Sequence, residues 1–360
     1  MKIFSYLQRN TYLHPFGQYG NKKYRKRRRI WGISPVPTQV TYLRCFRKIG
    51  SVNADRVGEE GMTGRLIIQE KPELVAPYIM VGLKGWLNAG EISTGSIDYL
   101  RRKLGAHPFA YIEPAGFYIY QIPSSTAEQT MRPVAKIKEG LVKKLELPRN
   151  EFFYWKSGAA HDLILFQGVE PNLDWPEYAQ AILDVARQFM APRIYSLGGI
   201  FDQVPHTRKT RILATISHPQ LKDEIKTYAR FTDYEGPSSF NTMLLSIARE
   251  QGVEMAGISA RAPLYIQDLN AKACYDLLHN VITSAGFSID LRDLRATGEA
   301  LVEMMDTAFS QNATALEQLK RLEEQFDATV GEEPLQAQGE DYDKLLAEMR
   351  KLKKEGRKPH

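Results

Sequence analysis

The sequence YIMVGLKGWLNAG, residues 78–90, decides the fold of this chain. Its first four residues form a short apolar run, which is typical of a strand buried on both faces of a sheet. The glycine-bounded segment 85–90 predicts a loop. The residues after it predict a helix that ends before Gly105, because glycine commonly follows the last turn of a helix. A buried strand, a loop and a helix in this order indicate an α/β domain.

The same alternation of strands and helices continues along residues 62–288, and a further helix is predicted to close at Gly252. Strands are predicted at 109–112, 117–122, 151–155, 162–166, 193–197, 212–216 and 253–258, and helices at 175–190 and 272–285. Helices of this length between strands predict a three-layer α/β/α domain around a mainly parallel or mixed sheet.

Residues of unusual chemistry fall in the loops that follow the predicted strands, and such loops gather at the carboxyl edge of an α/β sheet. The candidates for a binding site are Gly85, Trp86, Asn88, Gly90, Glu170, Gly198, Gly199, His206, Thr207, Arg208, Gly236 and Ser238. His206 is the candidate catalytic residue because imidazole transfers protons near neutral pH. Arg208 and the helix start at Gly236 could hold an anion.

The cluster around His206 has a second interpretation, which is a structural clasp. In that interpretation Arg208 pairs with Asp202 or Glu170, and His206 caps a loop. Nucleotide-binding glycine motifs and a nucleophile elbow are absent, so no cofactor is expected. No two histidines are spaced by three or four residues, so no helical metal site is expected either.

The net charge of +6 comes from the first 61 residues. They hold 13 of the 48 Lys and Arg residues but 3 of the 42 Asp and Glu residues, so the remaining chain is mildly acidic. The run 22–29 is almost wholly basic and is expected to resist packing. Three interpretations stay open for this leader: a start upstream of the natural one at Met62, an idle disordered tail, or an arm that contacts RNA or an acidic protein.

The composition is that of a globular protein, with 43% hydrophobic and 25% charged residues. No apolar stretch reaches the roughly 18 residues that a membrane span requires. Two cysteines, Cys45 and Cys274, are too few for a disulfide framework, which favours a cytoplasmic location.

Apolar residues at alternating steps of three and four predict a long amphipathic helix, or helices, over 289–330. This region could form a coiled coil with a partner or pack along its own domain, and the sequence favours neither. Residues 331–360 predict a polar linker and a last amphipathic helix.

Five segments occur in an order that resembles the proteasome assembly chaperone family, in the archaeal and bacterial branch related to the second chaperone subunit. They are GWLNAG (85–90), GVEP (168–171), LGG (197–199), PHTR (205–208) and GPS (236–238). The resemblance implies a three-layer domain similar to the nucleoside phosphorylase fold. It also implies a self-associating scaffold or chaperone without catalysis.

Two features depart from that family. Leu264 stands where relatives often have histidine, and residues 356–360 lack the hydrophobic-Tyr-X tail of relatives that engage the proteasome. The resemblance as a whole favours a homo-oligomeric scaffold that assists assembly of a protein complex. The alternative is a nucleoside-phosphorylase-like or ligase-like enzyme, a transferase or ligase acting on a small anionic substrate held by Arg208.

Overall fold

A computed structural model describes residues 65–121 and 132–329. The proposed leader (1–61) and the proposed linker and terminal helix (331–360) lie outside the described residues. Within the described ranges, no helix combines the length and the apolar character that crossing a membrane would require.

Eleven strands and seven α-helices make up the described structure. The strands are β1 (Leu66–Ile68), β2 (Tyr78–Lys84), β3 (His107–Ile112), β4 (Val134–Lys138), β5 (Leu141–Glu146), β6 (Glu151–Trp155), β7 (Leu163–Val169), β8 (Arg193–Asp202), β9 (Ile212–Ile216), β10 (Arg230–Phe231) and β11 (Glu254–Pro263). The helices are α1 (Ile92–Leu104), α2 (Trp175–Gln188), α3 (Lys222–Ile225), α4 (Phe240–Glu250), α5 (Ala271–Ser284), α6 (Arg292–Ser310) and α7 (Ala313–Ala328).

Nine strands form one mixed sheet in the order β1-β3-β6-β7-β2-β8-β11-β9-β10. The four central strands, β7, β2, β8 and β11, are parallel to one another. The outer neighbours β6 and β9 run antiparallel to them. The sheet is therefore mixed around a parallel centre, as the alternation of strands and helices predicts.

Helices cover both faces of this sheet. On one face α1 and α5 pack on the central strands through side chains such as Ile97 and Leu277. On the other face α2 and α4 do so through Tyr178 and Leu244. Close approach of α1 requires Gly82 in β2, because a Cβ there would lie 2.6 Å from the carbonyl oxygen of Ser93. The three-layer α/β/α prediction is confirmed.

The strand predicted at 117–122 is wrong for residues 117–121, which form a turn and an irregular segment. Phe117 and Tyr118 are buried in the core on the α2 face, so these side chains anchor the irregular segment to the core. The carbonyl of Phe117 accepts hydrogen bonds from the backbone N–H groups of Asn172 and Leu173, at 2.8 and 3.1 Å, and not from a neighbouring strand.

Residues 289–329, where a long helix or helices were expected, hold the two helices α6 and α7. Asn312 separates α6 from α7, and its side-chain oxygen caps α7 by accepting a hydrogen bond from the N–H of Ala315 at 3.0 Å. Phe309, Leu319 and Leu322 pack on Ile266 in a small core of their own. The apolar seam of both helices therefore faces its own domain.

Candidate functional site

The candidate residues lie mainly in loops at the carboxyl ends of the parallel strands. Residues 85–91 follow β2, 170–174 follow β7, and 203–211 follow β8. Residues 264–270 follow β11 and complete this edge. Because parallel strands end at the same edge, these loops are neighbours. They form three groups of contacts. Within each group, polar atoms form hydrogen bonds or ion pairs with other residues of the same chain.

The first group centres on Glu170. Its carboxylate accepts hydrogen bonds from the backbone N–H groups of Trp86 and Phe240, the latter at 2.9 Å. Phe240 is the first residue of α4, so this carboxylate occupies the N-terminus of the helix, where a negative charge is favourable. Gly85 admits the contact, because a Cβ there would collide with the Glu170 side chain.

The predicted helix start at 236–238 lies slightly upstream of the true one. Ser239 caps α4, and the exposed Gly236 and Ser238 precede the cap. The anion held at this N-terminus is therefore Glu170 of the same chain, and Ser238 makes no contribution to the cap.

The second group joins the loop after β2 to β8 and to α5. The N–H of Gly199 donates to the carbonyl of Leu87 at 2.9 Å, and the N–H of Asn270 donates to the carbonyl of Gly90 at 2.8 Å. Gly90 has a φ of 55°, a left-handed conformation that glycine adopts without strain. Asn88 is used locally, since its side-chain oxygen accepts from the N–H of Thr94 at 3.0 Å.

Gly198 and Gly199 lie where other segments of the same chain approach β8 closely. A Cβ on Gly198 would lie 2.5 Å from the hydroxyl oxygen of Ser259, and one on Gly199 would lie 3.0 Å from Cβ of Ile92. Both glycines therefore serve packing between strand and loop.

The third group surrounds His206, which is buried. Its Nδ1 lies 2.8 Å from the hydroxyl of Tyr265, and its Nε2 lies 3.2 Å from Oδ1 of Asp306 on α6. The Tyr265 hydroxyl also accepts from the backbone N–H of His206 at 2.9 Å. These contacts fit a neutral ring that accepts from the tyrosine and donates to the aspartate.

Burial lowers the pKa of His206 from its usual value, although Asp306 and Glu323 act in the opposite direction. The ring also stacks on Phe309, with the ring centres 5.3 Å apart. Burial raises the pKa of Tyr265 well above its ordinary value. Burial thus favours the neutral form of the ring over the charged one.

Thr207 and Arg208 bind to α7. The hydroxyl of Thr207 donates to Glu323, and the Arg208 guanidinium lies 3.2 Å from Glu323 and 2.8 Å from Asp327. The hydrogen bond with Asp327 raises the pKa of Arg208, and Arg208 in turn lowers the pKa of Asp327. The cation that an anionic substrate would need is therefore already paired with two carboxylates of its own chain.

The partners expected for Arg208 in a clasp were Asp202 and Glu170, and the structure places neither there. Asp202 instead forms a buried ion pair with Arg261. Arg211 also contacts α7: its guanidinium lies 3.7 Å from the ring centre of Phe326 and donates to the carbonyl of that residue at 2.7 Å. Sequence reasoning missed these partners on the helices, because the acidic residues of α7 look like an ordinary solvent-exposed face.

The cavity beside His206 measures about 20 Å³ and is lined by Arg208, Arg261 and Lys272, among others. That is room for about one water molecule, whereas ligand pockets are typically several hundred Å³. Among residues 65–121 and 132–329, no group of three His, Cys, Asp or Glu side chains could hold a metal ion. The three groups thus join elements of the domain to one another, and the space shared by the second and third groups, between Asn270 and His206, is this small cavity.

The PAC2 family model matches residues 82–308, which is more than half of the chain. The chain belongs to the PAC2 family. The matched range contains all three groups of contacts except for Phe309 at the end of α6 and Glu323, Phe326 and Asp327 on α7. No curated protein matches this chain.

Solved structures share the fold. A protein of unknown function from Mycobacterium tuberculosis, Rv2714, has 20% identity and a TM-score of 0.66, over 82% of this chain and 99% of its own. The proteasome-assembly chaperone homologue Rv2125 of the same organism has 24% identity and a TM-score of 0.59, over 65% of this chain and 96% of its own. PbaB of Pyrococcus furiosus, an archaeal proteasome activator, has 23% identity and a TM-score of 0.53, over 67% and 97%.

Proposed function

We propose that this chain is a self-associating, cytoplasmic scaffold that assists the assembly of another protein complex without catalysis. Membership in the PAC2 family supports this role. So do two fold relatives, one called a proteasome-assembly chaperone homologue and the other an archaeal proteasome activator. We also propose an α/β domain at 62–288 that is extended by helices at 289–330.

One observation carries the proposal: the carboxyl edge of the sheet exposes large apolar side chains and binds its polar ones internally. Trp86 after β2 is 66% exposed, and Leu173 after β7 and Phe201 at the end of β8 are exposed as well. Exposed aromatic and aliphatic side chains at one edge are typical of a protein-binding surface. We propose that the candidate loops position this surface and that a client protein binds there.

Affinity purification of the tagged chain tests the role. Trp86→Ala should reduce recovery of the client at least fivefold, because a tryptophan at the centre of an interface commonly dominates its affinity. Met190→Ala is the matched control: Met190 is also highly exposed but precedes β8, at the opposite edge of the sheet. Recovery of the chain alone, at every salt concentration, would contradict the assembly role.

The enzyme alternative has a separate test. Nucleosides with phosphate should leave the melting temperature of the protein unchanged, since Arg208 is already paired and the adjoining cavity is small. A melting temperature that rises with ligand concentration, and that no longer does so in Arg208→Met, would restore the alternative.

A further inference from the structure

The strands β4 and β5 form a two-stranded hairpin outside the main sheet. All residues of both strands are exposed, including Ile137, Val142 and Leu145 at 62%, 65% and 58%. A lone two-stranded hairpin is marginal in water and needs a surface to pack on. No part of its own domain supplies that surface within the described residues.

The pairing register gives this hairpin one apolar face. Residues directly opposite each other share a face, and the pairs Ala135–Leu145 and Ile137–Val142 lie on the same one. The pair Lys136–Lys144 lies on the other face. An apolar face that alternates with a charged one is the pattern of a sheet packed on one side.

A bulge preserves this division. Val142 and Leu145 are three residues apart, so regular alternation would place them on opposite faces. The register shifts between Lys136 and Ile137, which leaves Lys143 as the extra residue and returns Val142 to the face of Leu145. The backbone irregularity thus keeps four apolar side chains together, although nothing in the described chain covers them.

Charge indicates what covers them. Residues 132–149 hold six basic and two acidic residues. Helices α6 and α7 together hold four basic and eight acidic residues. Six of those carboxylates contact Lys, Arg or His side chains of the same copy, which leaves the exposed Glu303 and Glu324 for a partner. A two-stranded ribbon is only about 5 Å between strands. Long lysine side chains on its outer face can therefore extend past its edges toward a surface that its apolar face contacts.

Other segments of this chain are poorer complements. Residues 1–61 are strongly basic and would repel the hairpin, while residues 330–360 hold seven basic and seven acidic residues. Within one copy the hairpin is exposed and lies between β3 and β6 in sequence, whereas α6 and α7 pack on the loops after β8 and β11. The acidic surface is therefore available to the hairpin of another copy.

We propose that the apolar face of the β4–β5 hairpin packs on the acidic surface of α6 and α7 of a second copy of this chain. The contact joins two different surfaces, so it closes either as a reciprocal two-fold dimer or as a head-to-tail ring or filament. Met304 on α6, which is 59% exposed and follows Glu303, is the apolar anchor on the receiving side. This inference rests on the proposed self-association and identifies its surfaces.

Sedimentation velocity across a range of protein concentrations tests the apolar face. The double variant Ile137→Thr/Val142→Thr keeps β-branched residues in the hairpin but should raise the dissociation constant at least tenfold. The matched control Val134→Thr/Leu141→Thr alters apolar residues on the opposite face and should change the constant less than threefold. Equal effects of the two double variants would overturn the proposal.

Charge reversal tests the identity of the occupant. Lys136→Glu/Lys144→Glu and Glu303→Lys/Glu324→Lys should each weaken assembly of the chain with itself, and a mixture of the two variants should assemble again. Failure of the mixture to assemble overturns the pairing of these two surfaces. A wild-type chain that stays monomeric but still recovers a client overturns this inference and leaves the proposed role in assembly standing.

Discussion

Arg261 on β11 and Asp202 on β8 form a largely buried ion pair, and its removal is expected to be costly. Arg261→Met leaves the carboxylate of Asp202 buried without its partner, so it should lower the free energy of unfolding by about 3 kcal/mol in urea titrations. Adding Asp202→Asn should recover a large part of that loss. Arg208→Met, which breaks a more exposed pair, should cost much less.

His206 makes the stability of the protein depend on pH. Because burial lowers the pKa of His206 in the folded state, the unfolded chain binds the proton more tightly. The contribution is complete above the usual histidine pKa of about 6.5 and is lost as the pH falls through the lower folded value. The groups that face the ring are Asp306, Glu323, Lys272 and Tyr265.

The measurement compares the free energy of unfolding of the wild type and of His206→Gln at pH 7.5 and 5.5. The advantage of the wild type should shrink at the lower pH, since the glutamine carries no titrating proton. An advantage that grows on acidification would mean that Asp306 and Glu323 outweigh burial and hold the ring charged.

The residue types of the carboxyl edge could be read from the sequence, but their partners could not. Loops after parallel strands must meet at one edge, so the neighbourhood of Glu170 and Gly199 followed from the alternation alone. Which carboxylate faces Arg208 depends on how α7 packs on the domain. The two carboxylates that do so are 115 and 119 residues away along the chain. Asp202 was a reasonable partner by distance in sequence, yet Arg261 on the neighbouring strand pairs with it.

At the scale of elements, α6 and α7 are held to the domain by Phe309. Its side chain is fully buried between His206 and Tyr265. Phe309→Ala should cost about 3 kcal/mol and speed amide hydrogen exchange in both helices before the sheet exchanges. Thr307→Ala on the same helix replaces an exposed side chain and should stay within about 0.5 kcal/mol of the wild type.

Amide exchange by mass spectrometry resolves this prediction, because it reports the helices and the sheet separately. If Phe309→Ala exchanged uniformly across the domain, the helices and the sheet would be a single cooperative unit and Phe309 would belong to the main core.

Elements with strong periodicity were predicted well, and those with weak local signals were missed. The strands β6 and β9 lie where their apolar patterns indicate, since burial on a sheet leaves a direct record in sequence. The hairpin of β4 and β5 was missed because its bulge breaks the alternation and its Glu139–Gly140 turn lacks the usual Asn-Gly or Asp-Gly signal. The seam of α6 and α7 was visible, but periodicity alone does not say what covers a seam.

At the scale of the whole molecule, the fold separates two kinds of surface. The carboxyl edge of the sheet holds its polar groups in internal contacts and exposes Trp86, whereas the β4–β5 hairpin lies outside the main sheet. A scaffold that binds a client at one surface and another copy at a second can present several client sites at once. Such an arrangement increases the effective concentration of the sites without any new contact.

This separation leads to a prediction about the melting temperature of the whole chain. Replacing 134–146 with Gly and Ser residues removes a hairpin that adds nothing to the core of its own domain, so the folded monomer should keep its stability. A partner that binds the folded state raises the melting temperature by mass action. The wild type should therefore melt higher than the variant by an amount that grows with protein concentration and vanishes on dilution. A difference that stays constant across concentrations would show that the hairpin stabilises its own monomer, and the contact with a second copy would lose its physical basis.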